Sequence, residues 1–240
     1  MYILALETTG AFASVALADE DGVISWLQGH DRFSHLQNLM PQVEQVLKDG
    51  GIKPEDLTAV AVSKGPGSFT GIRIGVSSAR ALSQALDIPC VGVSSLEALA
   101  ARAAGCAGSE SALLCPILDA RRNQVYGGGY FIREGFPEEE VKAAPYTIDE
   151  FMSKTEGYDR ILLLGDGIDA CGERIEEIRP EGREMACEDI RYQRADTVAL
   201  LGVKLFRENR GVPYGRLEPD YMRIPEAQRR LAEKKAAEKR

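Results

Sequence analysis

The sequence has few of the side chains that usually build metal sites and disulfide frameworks. Its 240 residues include only two histidines, His30 and His35, and their spacing keeps them off a common helix face. The five cysteines are scattered and form no CxxC pair, which is typical of reduced thiols in a cytoplasmic protein. We therefore expect no metal site and no disulfide scaffold.

Long apolar runs and an overall basic charge are missing as well. No stretch reaches the roughly 20 apolar residues that span a membrane, and MYILALETTG at the start lacks the basic region of a signal peptide. The formal net charge of −8 argues against a plain RNA-binding protein. Residues 223–240 are the exception, with seven Lys or Arg against three Glu. They form either a solvated terminal helix or an arm that touches a partner or RNA.

The pattern of apolar residues is that of an α/β protein. In the first half, three meander strands come before alternating helices and strands, in the order βββαβαβα. Pro41 is expected to kink the first helix or to confine its regular part to the residues after it. The predicted strands are 2–8, 12–18, 22–28, 58–64 and 90–94, and the predicted helices are 34–50, 70–86 and 95–104.

After a soft boundary near Gly105–Ser109 the pattern restarts. Residues 113–132 are again strand, polar turn and strand, and a short helix, a strand at 160–167 and a long amphipathic helix at 197–209 follow. This weak internal duplication indicates two similar lobes. The predicted divisions are a first lobe at 1–107, a second lobe at 108–215 and a basic tail at 216–240.

The first strand–turn–strand, LALETTGAFASVAL at 4–17, has the chemistry of a phosphate site. Glu7 ends the strand, and Thr8 and Thr9 enter the turn. Hydroxyls and backbone amides there could meet a phosphate, and the carboxylate could meet a metal. The alternative is a polar hairpin in which Glu7 is solvated.

The run GPGSFTGIRIGVSSARAL at 65–82 raises a second question. It is not a P-loop, because no Lys-Ser/Thr follows its glycines, and their spacing is GxGxxxG instead of GxGxxG. Gly71, Gly75, Ser78 and Leu82 fall on one helical stripe, where small residues allow a second helix to pack closely. Either this chain or another subunit packs against that stripe.

Several stretches together resemble the TsaB (YeaZ) family. They are GPGSFTGIRIG at 65–75, DRFSHLQNLMP at 31–41, DARRNQVY at 119–126, LLGDG at 163–167 and PDYMR at 219–223. The turn after Glu7 also resembles the first phosphate motif of the actin and hexokinase superfamily. The resemblance covers nearly the whole chain and implies a two-lobed actin-like (ASKHA, ribonuclease H-like) α/β fold with duplicated βββαβα lobes.

The resemblance implies a non-catalytic dimerisation subunit of a complex that transfers a threonylcarbamoyl group to N6 of adenosine 37, in tRNAs reading codons that start with A. Its implied partners are a TsaD-type transferase paralogue, a TsaE-type ATPase and, when it is alone, a second copy of itself. It would reach tRNA only through the complex. The histidines with which the TsaD paralogue holds a metal have no counterpart here. The implied subunit interface on the first-lobe helices is Leu39, Val43, Gly71, Arg73, Gly75, Ser78 and Leu82.

The same resemblance raises the question of a cofactor. Superfamily members clasp phosphate with a second, glycine-containing turn, and here that turn is DARR at 119–122, whose Cβ atoms obstruct a phosphate. We expect the phosphate site of Glu7, Thr8, Thr9 and Asp119 to be degenerate and the chain to have no cofactor of its own. A nucleotide at the subunit interface stays open. The alternative is a self-sufficient ATP-dependent phosphotransferase that uses Glu7, Thr8 and Asp119.

Overall fold

A computed structural model describes residues 1–31, 34–104, 111–178, 183–186 and 188–223. The expected lobe boundary near Gly105–Ser109 lies outside these residues, as does the part of the basic tail after Arg223. Within the described part, two five-stranded mixed sheets carry helices on their faces.

The first lobe has three meander strands followed by alternating helices and strands, as predicted. Its elements are β1 (Ile3–Glu7), β2 (Ser14–Ala18), β3 (Val23–Gln28), α1 (His35–Gly50), β4 (Ala59–Gly65), α2 (Phe69–Leu86), β5 (Cys90–Ser94) and α3 (Ser95–Arg102). The strand order is β3-β2-β1-β4-β5; β1 is antiparallel to β2 and parallel to β4. Every residue of β1 and β2 is buried, because the sheet is covered on both faces.

The second lobe repeats this arrangement. Its elements are β6 (Leu113–Asp119), β7 (Gln124–Arg133), β8 (Phe136–Thr147), α4 (Ile148–Lys154), β9 (Ile161–Leu164), α5 (Gly167–Ile178), β10 (Arg183–Met185), α6 (Glu188–Arg191) and α7 (Ala195–Arg207). The strand order β8-β7-β6-β9-β10 is the order of the first sheet, with the same parallel and antiparallel pairs. The predicted duplication of a two-lobed α/β fold is therefore confirmed.

Helix α1 differs from its prediction at Pro41. The helix starts at His35 and continues through Pro41 to Gly50, so its regular part is not confined to the residues after the proline. Pro41 lacks an N–H, which costs the helix one hydrogen bond to the carbonyl of Gln37. Gln37 is exposed, so water can take that place.

The lobes exchange helices. Helix α3, from the first half of the chain, packs its Leu96 and Leu99 with Leu114 and Tyr130 of the second sheet. Helix α7, from the second half, packs its Val198 with side chains of the first sheet. The predicted second lobe, 108–215, includes α7 by sequence, but the apolar face of this helix packs on the first sheet. The domain boundaries themselves stay a prediction.

The start of the predicted tail is part of the folded structure. Leu217 is only 3% exposed and belongs to the first-lobe core. Over the described residues, the structure contains no helix both long enough and apolar enough to cross a membrane.

Candidate functional site

A cleft of about 320 Å³ lies where the two lobes meet. The β1–β2 turn and the start of α2 line it from the first lobe, including Thr9 and Phe69. The β6–β7 turn and the residue before α5 line it from the second lobe, including Asp119 and Asp166. This volume is within the range of small-molecule sites, and the place is the one at which both predicted phosphate turns meet.

Glu7 stands at the end of β1 with its carboxylate inside the protein. Oε1 accepts hydrogen bonds from the Thr9 backbone N–H at 2.5 Å and the Thr9 hydroxyl at 2.6 Å, and Oε2 accepts one from the Ser63 hydroxyl. The side chain is fully buried, and this burial raises the pKa of Glu7 although the hydrogen bonds from Ser63 and Thr9 act in the opposite direction. A carboxylate placed in this way anchors the turn and does not reach a metal in the cleft.

The two threonines of the turn are also directed inward. Thr8 is fully buried, and its hydroxyl donates to the Gly71 carbonyl at 2.7 Å. The Thr9 hydroxyl donates to Glu7, and the Thr9 carbonyl accepts from the backbone N–H of Ser68 at 2.9 Å. Both hydroxyl protons are therefore used within the first lobe, and the turn is joined to the start of α2.

The second turn uses its backbone donors internally. The Asp119 N–H donates to Asp166 Oδ1 at 2.9 Å, and the Ala120 N–H donates to the Gln124 carbonyl at 2.9 Å. The Arg121 N–H donates to Asp119 Oδ1 at 2.7 Å, and the Gln124 N–H donates to the Arg121 carbonyl at 3.2 Å. Phosphate-binding turns offer such N–H groups to their ligand. Three of these four N–H groups bond within the hairpin and the fourth bonds to Asp166, so all four are used inside the second lobe, which supports the expectation of a degenerate site.

The charges at the cleft are also unfavourable for a phosphate. Asp119 Oδ2 pairs with Arg121 at 3.0 Å, but the Arg121 side chain is 83% exposed. Asp166 keeps a second carboxylate on the same wall, and burial, together with the charge of Asp119, raises the pKa of Asp166. The residues of this cleft therefore do not fit the phosphates of a bound nucleotide.

The two histidines differ in their exposure to solvent. His30 is exposed, whereas His35 is buried and its Nε2–H donates to the Gly10 carbonyl at 3.1 Å. Burial lowers the pKa of His35. In the part of the chain that the structure describes, no three His, Cys, Asp or Glu side chains are grouped to hold a metal ion.

Four of the predicted interface residues are packed inside this chain. Leu39 and Val43 lie in the first-lobe core and are 1% and 5% exposed. A side chain at Gly71 would overlap the backbone oxygen of Thr8, and one at Gly75 would overlap the Thr8 hydroxyl. These glycines let α2 approach the β1–β2 turn. The interface prediction is corrected at these four positions, because a partner cannot reach them.

The face of α2 that a partner can reach lies beside the predicted stripe. Arg73, which was predicted, is exposed, together with Ser77 and Ala81. Ser78 and Leu82 are half-buried at its border. The exposed face of α2 thus mixes small side chains with long polar ones, since Arg80 and Gln84 are exposed as well.

Helix α1 and the start of α2 expose large apolar side chains. Leu36 is 77% exposed and Met40 is 38% exposed, and they are four residues apart on α1. Phe69 at the start of α2 is 38% exposed, and the Arg73 guanidinium lies 4.0 Å from the centre of its ring. Among the described residues, Ile24, Trp26, Leu27, Leu200 and Tyr214 are the other large apolar side chains that are exposed.

Three residues were missed by the sequence prediction, and two of them, Asp166 and Gln193, line the cleft. Ser63 holds Glu7, and a signal existed in the polar residue that ends the apolar run of β4. Asp166 follows β9 in the LLGDG stretch. Gln193 lines the cleft while only 4% exposed, and nothing in its sequence context pointed to it.

Known proteins are similar to this chain in sequence and in structure. A family model described as "TsaD: tRNA N6-adenosine threonylcarbamoyltransferase" matches residues 32–159. The tRNA threonylcarbamoyladenosine biosynthesis protein TsaB of Bacillus subtilis is 35% identical over 234 residues, 97% of this chain and 99% of that protein. The protein of the same name in Escherichia coli is 30% identical over 235 residues, 96% of this chain and 98% of that protein. The solved structure of YeaZ from Pseudomonas aeruginosa has a TM-score of 0.78 and 28% identity, with 92% of this chain and 99% of that chain covered.

The duplicated lobes and the cleft between them define a two-lobed α/β protein of the actin-like class. Within that class, the match over nearly the whole length of both curated relatives is decisive. The chain belongs to the TsaB (YeaZ) family.

The contact between Gly75 and Thr8 can be tested with a double-mutant cycle. Gly75→Ala is expected to destabilise the protein by about 1–3 kcal/mol through overpacking against the Thr8 hydroxyl. In a Thr8→Ala background the same change should cost less, because the next neighbour, Val62 Cγ2, is 3.2 Å from the new Cβ. The measurement is the free energy of unfolding in urea. Ser77→Ala on the exposed face is the control, and strictly additive effects of Gly75→Ala and Thr8→Ala would contradict the packing.

Proposed function

We propose that this chain is a non-catalytic subunit of the machinery that transfers a threonylcarbamoyl group to N6 of adenosine in tRNA. As a TsaB-family protein, it takes part in tRNA threonylcarbamoyladenosine biosynthesis and has a TsaD-type transferase as its partner. Its role is to support that transferase through a protein–protein contact. The chemistry belongs to the transferase.

The observation that carries the non-catalytic role is the state of the two phosphate turns. Glu7, Thr8 and Thr9 bond within the first lobe, and four N–H groups of residues 119–124 bond within the second lobe. A phosphotransferase would need these groups to face its nucleotide. In this proposal the cleft between the lobes is a structural feature that does not hold a nucleotide.

The exposed faces of α1 and α2 supply the contact surface in this proposal. Leu36 and Met40 offer apolar area, and Ser77 and Ala81 let a partner helix come close. Because the TsaD-type partner is a paralogue with related lobes, the same surface serves a second copy of this chain when the partner is absent. Pairing by the same patch in both assemblies makes the homodimer and the heterodimer mutually exclusive.

The remaining partners follow from charge and from the family. With a net charge of −8 the chain contacts tRNA only as part of the complex. A TsaE-type ATPase docks on the assembled pair, and the whole complex works in the cytoplasm. Deletion of the residues after Arg223 should leave the two lobes folded, because this segment is charged and has few large apolar side chains to bury.

The purified chain should hydrolyse no ATP above background, because Glu7, Thr8 and Thr9 are directed into the first lobe. A sensitive phosphate-release assay with Mg²⁺ and ATP measures this. Asp119→Ala is the matched variant for the phosphotransferase alternative. Robust hydrolysis that Asp119→Ala abolishes would replace our proposal with that alternative.

Met40→Asp should weaken assembly with the TsaD-type transferase at least about tenfold, because a charge at an apolar interface must be desolvated without a partner. Size-exclusion chromatography of the co-expressed pair with light scattering measures assembly. Threonylcarbamoyladenosine formation in a reconstituted reaction should fall with it.

The control for this experiment is Leu200→Asp on α7. Leu200 and Met40 are equally exposed at 38%, so both changes place a charge on an exposed apolar site. Leu200→Asp should keep assembly and activity, and both variants should melt near the wild-type temperature. Normal assembly by Met40→Asp, or equal loss in both variants, would reject α1 as the contact surface.

A further inference from the structure

A short segment after the last helix crosses from one lobe to the other. Residues 217–223, here called the strap, begin with Leu217 in the first-lobe core. The backbone N–H of Asp220 then donates to the carbonyl of Lys64, at the end of β4, at 2.7 Å. The strap is thus fixed to the first sheet beside the glycine-rich run that opens α2.

Tyr221 fixes the strap to α2. Its hydroxyl accepts a hydrogen bond from Arg73 Nε at 3.2 Å, and its ring centre lies 5.0 Å from that of Phe69. Phe69 is one of the residues that line the cleft. The strap therefore lies at the cleft and not on a remote surface.

The next two residues bind the second lobe. Met222 packs against the cluster that contains Leu114 and Tyr130 of the second sheet. Arg223 Nη1 donates to the Ala120 carbonyl at 2.9 Å, and Ala120 belongs to the hairpin that forms the other wall of the cleft. Three consecutive residues thus hold both walls.

We propose that the strap clamps the two lobes and holds the cleft at a fixed opening. In an actin-like fold the lobes can rotate about the helices that they share, and a bond from one wall to the other opposes that rotation. A buried ion pair adds to the rigidity, since Arg102 of α3 lies 3.4 Å from Asp196 of α7 with side chains 5% and 15% exposed. The chain then presents its surfaces in one constant arrangement.

Gly65 provides a way to displace the strap. Its φ is +120°, and a Cβ added there would overlap the backbone oxygen of Asp220. Gly22 has a similar φ of +138° but no heavy atom within 4 Å of such a Cβ. Gly65→Ala and Gly22→Ala therefore share the backbone strain of an L residue, and only Gly65→Ala pushes on the strap.

The test is hydrogen–deuterium exchange of the full-length chain, followed by mass spectrometry. Arg223→Met removes the bond to Ala120 and keeps the length of the side chain. Peptides that cover the strap, 217–223, should exchange about tenfold faster in Arg223→Met, because the Asp220 N–H bonds to the Lys64 carbonyl only while the strap is docked, and one charge-assisted hydrogen bond fewer then holds it. Gly65→Ala should accelerate the same peptides. Arg216→Met, an exposed arginine just before the strap, and Gly22→Ala should leave them at the wild-type rate.

Unchanged exchange of the strap peptides in Arg223→Met would overturn the proposal. So would acceleration spread evenly over both sheets, which would report lower global stability. If Gly65→Ala does not fold, Arg223→Met against Arg216→Met decides alone. The exchange measurement uses no partner and no tRNA, so its result does not depend on whether the proposed function is correct.

Discussion

The carboxylate of Glu7 sits at the centre of the first lobe, and the arrangement around it depends on its burial. Its two oxygens hold Thr9 in the β1–β2 turn and Ser63 on β4, which are 2 and 56 residues away along the chain. A carboxylate without water must be matched by such donors, since leaving it unpaired would cost several kcal/mol. The turn is therefore fixed in the shape that α2 then packs against.

This constraint explains the glycine-rich run. Gly71 and Gly75 lie where α2 meets Thr8, so the absence of side chains serves contact between helix and turn within one chain. The same packing turns the hydroxyls of Thr8 and Thr9 away from the cleft. The hydroxyls of this turn are thus occupied within the first lobe, while Leu36 and Met40 of α1 and Arg73 of α2 stay exposed.

The sequence was sufficient for the fold and only partly so for the site. Apolar periodicity predicted both meanders and the helix over α2, which buries Ile72, Val76 and Ala79 as one apolar face. The sequence left open what packs on the stripe of Gly71 and Gly75, since small residues show that something packs closely but not which surface does, and the structure places Thr8 there.

The other differences come from contacts distant in sequence. The bond between Glu7 and Ser63 requires the parallel pairing of β1 with β4, and the pattern of each strand alone does not specify it. Helix α7 likewise comes late in the chain but packs on the first sheet, which is built from the first half of the chain. Its apolar face could have matched either sheet, and only the assembled lobes distinguish them.

The central claim is that Glu7 is a buried structural carboxylate and not a ligand of the cleft. The most direct measurement compares the free energy of unfolding of the wild type and Glu7→Gln from about pH 5 to about pH 8. Because the pKa of Glu7 is raised in the folded state, its contribution to stability is fully present below the unfolded pKa and is lost as the pH rises through the folded pKa. The account predicts that the wild type loses stability relative to Glu7→Gln as the pH rises. A difference that stays constant, or that moves in favour of the wild type with rising pH, would contradict it.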